Sequence, residues 1–444
     1  MTTKLTRDNI DNLKNLSVAW QSVITADGST NTNVESGKGY FIDTTSATHT
    51  VVLPTNASIG DIISIKDYAG TFGSNALTIN RNGHNIQGVA FNNEINTNRA
   101  SISLFYVDST KGWIYSKESN VADLQTVQYV TATGGTVATS GDYKIHTFTG
   151  DGCFVVSCGG NPVGNDKVDY LVVAGGGGSG GGGAGYNNTS GGGGAGGYRE
   201  GKQACGSPHS ASPLAASTGL TVSTTTYPVT VGGGGAGGAV NSNANGTNGS
   251  NSIFSTITSA GGGRGGAGIS YAAGSGGSGG GAGEGFPNPI AGGAGNTPPT
   301  SPPQGQPGGT YGPPNGGAGT GGGGALQAGQ VAPGGSGSGG NGGNGAGTGI
   351  NPSPTIGAPG PNGALRYFSG GGGGGPYGTP GAVPGQGGYG GGGESGDWPA
   401  NPPSAPTEGV ANSGGGGGAS YSFTGPNQPA SGGSGAVIIR YKYK

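Results

Sequence analysis

Charged side chains are scarce in this sequence of 444 residues, at 9% of the total, and their formal net charge is only −2. Because there is no basic cluster, the chain lacks the electrostatic footprint of a nucleic-acid-binding protein. No apolar run approaches the roughly 20 residues that a membrane-spanning helix needs. The first residues, MTTKLTRDNIDNLKN, contain no apolar stretch, so we expect no signal peptide. These absences favour a protein made in the host cytoplasm and released by lysis, such as a virion component.

Cysteine is almost absent as well, and an odd count of three cannot form a disulfide framework. Cys153 and Cys158 are five residues apart, which would put them on opposite faces of a strand. We interpret them, with Cys205, as small β-strand residues. Histidines are scattered without the spacing of metal ligands; they are His49, His84, His146 and His209. We therefore predict no metal site and no cofactor.

Glycine dominates what is present, with 111 residues, and 28 prolines accompany it. Residues 1–150 contain 13 glycines, whereas the remaining 294 residues contain 98. Such a composition without a strict period is typical of disordered chains. Disordered chains, however, usually carry many charges, and this one does not. The change near residue 150 indicates two differently built regions in one chain.

Short β-strands are predicted on both sides of this change. Residues 6–24 have apolar side chains at a spacing of three and four, which predicts an N-terminal helix for attachment or trimerisation. Between residues 37 and 117, segments rich in Val, Ile, Thr and aromatic residues alternate with turns, which favours a β-sandwich-like or trimeric β module. The predicted strands here are Gly39–Asp43, Thr50–Leu53, Asp61–Lys66, Ala76–Asn80, Ser101–Val107 and Gly112–Ser116.

The glycine-rich region is bracketed by strands. Three are predicted at Val127–Thr131, Tyr143–Thr149 and Cys153–Ser157, and the apolar strand Val168–Ala174 then enters the glycine runs. A last strand, Ala436–Tyr443, follows them. A flexible Gly/Ser linker would not need a returning strand, and the glycines do not keep the every-third register of collagen. A single closed domain with the glycine runs inside is therefore favoured over both alternatives.

Glycine runs can be ordered only if their backbone groups are used almost completely. Ordering a residue costs about 1–2 kcal/mol, and a hydrogen bond returns only about 0.5–1.5 kcal/mol. Packed helices of the polyglycine-II type meet this demand, because their N–H and C=O groups point outward to neighbours. We thus predict a mainly β protein. Its parts are a helix in 1–30, a β module in 31–120, framing strands in 121–174, a polyglycine-II bundle with exposed loops in 175–435 and a returning strand in 436–444.

Several segments resemble a known family. VDYLVVAGGGGSGGGGAG, GGGAGGYREG, YPVTVGGGGAGG, SIFSTITSAGGGRGG and the ending GGSGAVIIRYKYK are similar to the glycine-rich domain of bacteriophage tail-fibre proteins, common in phages of marine bacteria and cyanobacteria. Residues 37–116 resemble a β module repeated in such fibres. The glycine-rich region is also similar to distal adhesins of T-even-type long tail fibres. There, packed polyglycine-II helices present loops that bind an outer-membrane protein, although this chain differs in carrying its own β modules.

Catalytic patterns are weak. Motifs of the GxGxxG kind arise from composition alone, and none lies in a βαβ unit with a following acidic residue. Acid–base catalysis needs convergent carboxylates; Asp166 and Asp169 flank the start of a strand, where we expect a solvated edge. We therefore predict no enzyme, with a fibre-borne glycan hydrolase as a lesser alternative.

Aromatic residues between the glycine runs are the best candidates for binding, because Tyr and Trp give large, stiff contacts. The alternative is that they cover the ends of the bundle. The resemblance and these residues together predict a homotrimeric virion fibre protein that binds a host surface receptor, an outer-membrane protein or a glycan, and other virion proteins through its N terminus. A purely structural fibre on head, collar or tail is the alternative function. The candidate binding residues are Phe286, Tyr311, Tyr367, Phe368, Tyr377, Tyr389, Trp398, Tyr421 and Phe423.

Overall fold

The computed structural model divides the chain into unit 1, Met1–Val127, and unit 2, Gln128–Lys444. It describes residues 18–119, 127–183, 189–203, 208–239, 242–268, 271–285, 288–312, 316–361, 363, 365–378, 381–397, 404–421 and 428–444. These residues form 25 strands and no helix. They accordingly include no helix that could cross a membrane.

Unit 1 contains two sheets that enclose an apolar core. Tyr40 and Ile42 of one sheet meet Val51 and Leu77 of the other. Between Thr32 and Asn80 successive strands alternate between the sheets, so several neighbours run parallel, as Lys38–Asp43 and Ile62–Asp67 do. The strands are β1 (Ala19–Trp20), β2 (Ile24–Thr25), β3 (Thr32–Asn33), β4 (Lys38–Asp43), β5 (His49–Val52), β6 (Ile62–Asp67), β7 (Leu77–Asn80), β8 (Asn93–Ile95), β9 (Ser101–Asp108) and β10 (Gly112–Ser119).

The predicted N-terminal helix is wrong where the structure describes it. Between residues 18 and 25 the chain is extended and contains the short strands β1 and β2, which pair in parallel with β4. Residues 1–17 lie outside the described residues. An isolated helix of this length is marginal in water, whereas the edge of β4 offers hydrogen bonds. Trp20 also stacks on Phe41, with ring centroids 4.5 Å apart. A β-carbon at Gly39 would lie 2.7 Å from the Trp20 ring, so glycine makes room for this stack.

Unit 2 is built on a seven-stranded sheet in the order β12-β13-β25-β15-β16-β17, with β18 also pairing β15. A five-stranded sheet, β11-β14-β19-β20-β21, and a three-stranded sheet, β22-β24-β23, accompany it. The bounds are β11 (Val130–Thr133), β12 (Thr136–Ser140), β13 (Tyr143–Phe148), β14 (Gly152–Gly159), β15 (Lys167–Val173), β16 (Tyr198–Gly201), β17 (Ala215–Ala216), β18 (Leu220–Thr221), β19 (Thr226–Thr230), β20 (Ser252–Phe254), β21 (Ile257–Ser259), β22 (Ala346–Thr348), β23 (Ala358–Pro359), β24 (Arg366–Phe368) and β25 (Ala436–Lys442).

The two strands that bracket the glycine-rich region are neighbours in this sheet. β15 and β25 pair antiparallel, with Asp169 opposite Arg440 and Val173 opposite Ala436. One face of the pair packs on an aromatic core that includes Phe154 and Phe254. The other face packs on a second core that includes Phe368. Burial on both faces explains why the sequences of β15 and β25 are almost continuously apolar.

The glycine runs bond to one another through their backbones. Along residues 175–181, the amides of every third residue donate to the same neighbouring segment. The donor and acceptor pairs are Gly175 to Ser250, Gly178 to Thr247 and Gly181 to Ala244; Gly176 to Gly433 and Ser179 to Ala430; and Gly177 to Gly194 and Gly180 to Gly191. Carbonyl groups of the same run accept from three further segments, 262–268, 235–238 and Gly417. One run is thereby bonded to six neighbours.

Close approach is the reason that these positions are glycine. A β-carbon placed on Gly176 would lie 2.0 Å from the carbonyl oxygen of Gly415, and one on Gly193 would lie 2.0 Å from that of Gly177. Neither glycine has a positive φ, so backbone conformation does not demand glycine there. The runs therefore replace side-chain packing with contact between backbones.

Candidate binding surface

The glycine runs give unit 2 two distinct ends. One run leaves the seven-stranded sheet after Val173 and reaches Gly183, and the next begins at Thr189 and returns to the sheet at Tyr198. Later runs repeat this reversal, as their backbone hydrogen bonds show. We call the end near the sheet the sheet end and the opposite one the loop end. Residues 331–338 form a described reversal at the loop end. Other described ends of runs there are Gly183 and Thr189, Ala239 and Ser242, Gly268 and Tyr271, Gly285 and Asn288, Gly312 and Gly316, Gly378 and Gly381, Asp397 and Ser404, and Tyr421 and Gln428.

Three of the predicted binding residues are found at the loop end. Tyr311 and Tyr421 are buried there, at 2% and 4% exposure, and Tyr377 is partly buried. Thr189 donates a hydrogen bond from its hydroxyl to the carbonyl oxygen of Gly317, which joins two of the reversals. Tyr311 and Tyr421 therefore present little of their rings to solvent in this structure.

Three other candidates lie at the sheet end. Tyr367 and Phe368 belong to β24, and Phe368 is 1% exposed in the core beneath the seven-stranded sheet. Tyr389 is 51% exposed, and its ring centroid lies 6.4 Å from that of Tyr367. The nine predicted residues therefore do not form one patch. The remaining three, Phe286, Trp398 and Phe423, lie outside the described residues.

A carboxyl group lies among the tyrosines of the loop end. Burial raises the pKa of Glu284 to about 7, against a smaller opposing effect of a backbone hydrogen bond from Thr189. Its Oε2 atom is buried and has no hydrogen-bond partner within the described part of the chain. Burial also raises the pKa of Tyr311, with smaller contributions from Glu284 and Tyr377. The sequence between Arg264 and Arg366 contains no Lys or Arg to balance this carboxyl group.

A second polar cluster is buried at the sheet end, around Glu200. The Glu200 carboxylate accepts hydrogen bonds from the hydroxyl groups of Tyr198 and Thr348, both at 2.7 Å, and from the backbone N–H of Ser212 at 2.9 Å. These contacts tie β16 to β22 and to the segment around Ser212. Hydrogen bonds to a charged acceptor are stronger than neutral ones, so Glu200 fixes three separate pieces of chain against the sheet.

His209 lies between two carboxylates of this cluster. Its Nδ1 atom is 3.8 Å from Asp169 Oδ2, and its Nε2 atom is 3.9 Å from Glu200 Oε1. Burial, followed by the positive charges of Arg440 and Lys202, lowers the pKa of His209 to about 3, so the ring is neutral at pH 7. The solvated strand edge expected for Asp169 is wrong, because Asp169 is 1% exposed. No sequence periodicity would have revealed that these groups meet.

Potential metal ligands, thiols and clefts were located within the described residues. Within them, no three His, Cys, Asp or Glu side chains are grouped so that they could hold a metal ion. Cys153 and Cys158 are free thiols on β14, and Cys205 lies outside the described residues. A cleft of about 160 Å³ lined by Thr136, Thr147 and Asn351 is smaller than the 300–1,000 Å³ of ordinary ligand pockets.

Comparison with known proteins identifies the larger part of the chain. A search of curated proteins finds no match. A family model described as a glycine-rich domain matches residues 156–442. The match spans more than half of the chain and runs from β14 to the end of β25, so it includes the strands that frame the glycine runs. The chain therefore belongs to the glycine-rich domain family.

Proposed function

We propose that this protein is a virion fibre protein of a bacteriophage and that it binds a receptor on the host surface without catalysis. The observation that carries the proposal is the repeated return of the glycine runs to the loop end, away from the framing sheet, which includes the described reversal 331–338. Binding residues concentrate on loops that a rigid scaffold positions. A bundle whose runs are joined by backbone hydrogen bonds supplies such a scaffold. The resemblance to tail-fibre proteins is the reason for proposing a receptor on the host surface as its ligand.

We further propose that the glycine runs are packed helices of the polyglycine-II type. A polyproline-II-like helix has three residues per turn and no internal hydrogen bonds. The period of three in the hydrogen-bond partners of residues 175–181 is what this geometry requires. The absence of side chains at contacts such as Gly176 with Gly415 supports it too.

The assembly in this proposal is a homotrimer on the virion, attached to other virion proteins through the N-terminal part of the chain. Its support is the resemblance of unit 1 to fibre β modules. Exposed aromatic surface near the start of unit 1 is consistent with a partner, since Trp20 is 47% exposed although it stacks on Phe41. The receptor would be an outer-membrane protein or a glycan.

Phage adsorption with altered fibres tests the proposal. Replacing residues 398–403 (WPANPP), which follow Asp397 at the loop end, by a Gly/Ser segment of equal length should abolish adsorption to host cells. Tyr389→Ser at the sheet end is the matched control, because it removes an exposed aromatic ring from the opposite end. It should leave adsorption unchanged. Both variants should assemble into particles with full fibre occupancy.

Three other results would each overturn a different part of the proposal. Unchanged adsorption after the loop replacement, and after an equivalent replacement of residues 422–427 and of Phe286, would favour the purely structural fibre. Adsorption lost in Tyr389→Ser but not in the loop replacements would move the binding surface to the sheet end. New reducing ends on incubation of the purified chain with host polysaccharide would instead favour a glycan hydrolase.

A further inference from the structure

Glu284 lies at the base of a reversal at the loop end. The next described residue after Gly285 is Asn288, and Ile290 then pairs with Tyr311 through backbone hydrogen bonds of 3.1 and 2.8 Å. The backbone N–H of Glu284 itself donates to the carbonyl oxygen of Thr189 at 3.0 Å. Its position therefore couples this side chain to the packing of three segments of the loop end.

The groups that face Glu284 are neutral or share its negative charge when ionised. Tyr311 and Tyr377 interact with one another, and Tyr311 also interacts with Glu284. Tyr421 lies beyond them and interacts with Tyr377. No Lys or Arg occurs in the runs that supply these residues. Other carboxyl groups on the runs are those of Glu394 and Asp397, in 391–397, and of Glu408, in the paired run 404–410. Arg264 lies on the neighbouring run 261–268, whose Gly266 donates to the carbonyl oxygen of Gly281. Within the described part of the chain, neither it nor another cation forms an ion pair with Glu284.

We propose that Glu284 makes the loop end responsive to pH near neutrality: when protonated it stays packed with Thr189 and Tyr311, and when ionised it loosens the backbone pairing of Ile290 with Tyr311. This inference rests on the proposed function, since it describes the regulation of that same surface. Its physical basis is the buried Oε2 atom without a partner in the described part of the chain. A buried carboxylate in such a place must gain water or move.

The direction of the effect follows from linkage. The pKa of Glu284 is raised from 4.5 to about 7 in the folded chain. Between those two values the loosened state has released the proton that the packed state still holds, so packing weakens as the pH rises. Above about pH 7 the packed state is ionised as well and the loss is complete. Because Glu284 is only partly buried, we expect the equilibrium between packed and loosened states to change about tenfold between pH 5 and pH 8. This is well below the change that the whole pKa shift would produce.

Hydrogen exchange of the full chain measures this opening directly. The amides of Ile290 and Tyr311, which bond to each other's carbonyl groups, should lose about tenfold protection between pH 5 and pH 8 after correction for the intrinsic exchange rate. Glu284→Gln keeps the shape of the protonated side chain and should make protection equal at both pH values. Glu394→Gln removes an exposed carboxyl group and should retain the pH dependence of the original chain.

Each outcome decides for or against the proposal. Equal protection at both pH values in the unaltered chain, or an unchanged pH dependence in Glu284→Gln, would overturn it. Host-cell binding, measured in parallel, should weaken with rising pH in the unaltered chain and become independent of pH in Glu284→Gln. If no form of the chain bound host cells while exchange still followed Glu284, the receptor function would fail and the pH-responsive packing would stand.

Discussion

Substituting a single glycine inside a run gives the sharpest test of the cross-bonded bundle. In Gly193→Ala, the new β-carbon would lie 2.0 Å from the carbonyl oxygen and 2.8 Å from the carbonyl carbon of Gly177. Ordinary contacts of this kind are 3.4–4 Å, so the two runs must separate by more than 1 Å. Gly233→Ala is the matched control, since a β-carbon there would meet nothing within 4 Å and neither residue has a positive φ.

The cost of the separation can be worked out from the bonds around Gly193. Its N–H donates to Gly417 at 2.9 Å, its carbonyl accepts from Gly372 at 2.9 Å, and the adjoining bond from Gly177 to Gly194 is 2.8 Å. Three weakened bonds at about 1 kcal/mol each, added to about 1–3 kcal/mol for overpacking, give a loss of about 4–6 kcal/mol. That is a large part of the stability of an ordinary domain.

Urea unfolding followed by circular dichroism would measure the effect. Gly193→Ala should lower the unfolding free energy of unit 2 by that amount, while the transition of unit 1 serves as an internal reference. Gly233→Ala should be neutral or stabilise by about 0.4–1 kcal/mol, because alanine reduces the freedom of the unfolded chain. Equal midpoints for the two variants would refute the argument that backbone contact dictates glycine in the runs.

Three further predictions concern the framework of unit 2. Phe254→Ala should lower the unfolding free energy measured in urea by about 3–5 kcal/mol, because Phe254 is fully buried with its ring centroid 5.9 Å from that of Phe154. As a control, Val155→Ala should change it by no more than about 0.5 kcal/mol, since the Val155 side chain is 38% exposed. The pKa of His209 is lowered from 6.5 to about 3 in the folded chain. As the pH drops from 6.5 towards 3, the unfolded chain takes up a proton that the folded chain does not, so stability should fall. His209→Gln should reduce this dependence of the melting temperature on pH, and an unchanged dependence would contradict the argument. Removing residues 436–444 should unfold unit 2, because β25 lies between β13 and β15 in the seven-stranded sheet. Hydrogen exchange would detect this as a loss of amide protection in unit 2. A truncated chain with intact protection would show that the strand is dispensable.

The strands of this protein could be predicted from short β-rich segments between turns. The predicted strand Asp61–Lys66 is observed at Ile62–Asp67, and Cys153–Ser157 lies within Gly152–Gly159. Hydrophobic patterning and turn residues act locally, so sequence alone carries them. The wrong prediction at residues 18–24 has the opposite cause: apolar side chains at helical spacing were overridden by pairing with β4, which is a tertiary contact.

The contacts among the glycine runs could not be predicted, because the runs are chemically almost identical. Nothing in the sequence distinguishes Gly417 from Gly372 as the neighbour of Gly193, yet both neighbours are specific in the structure. The buried cluster of Asp169, Glu200 and His209 was missed for a related reason. His209 belongs to an irregular segment, and only its contacts at 3.8 and 3.9 Å reveal the cluster.

The seven-stranded sheet provides apolar burial that stabilises the glycine runs. Glycine has the largest ordering cost of any residue, and apart from Tyr311 and Tyr421 the apolar side chains that the runs bury are mostly alanines. The sheet supplies what they lack, since β15 and β25 are apolar on both faces and fix the first and last runs side by side.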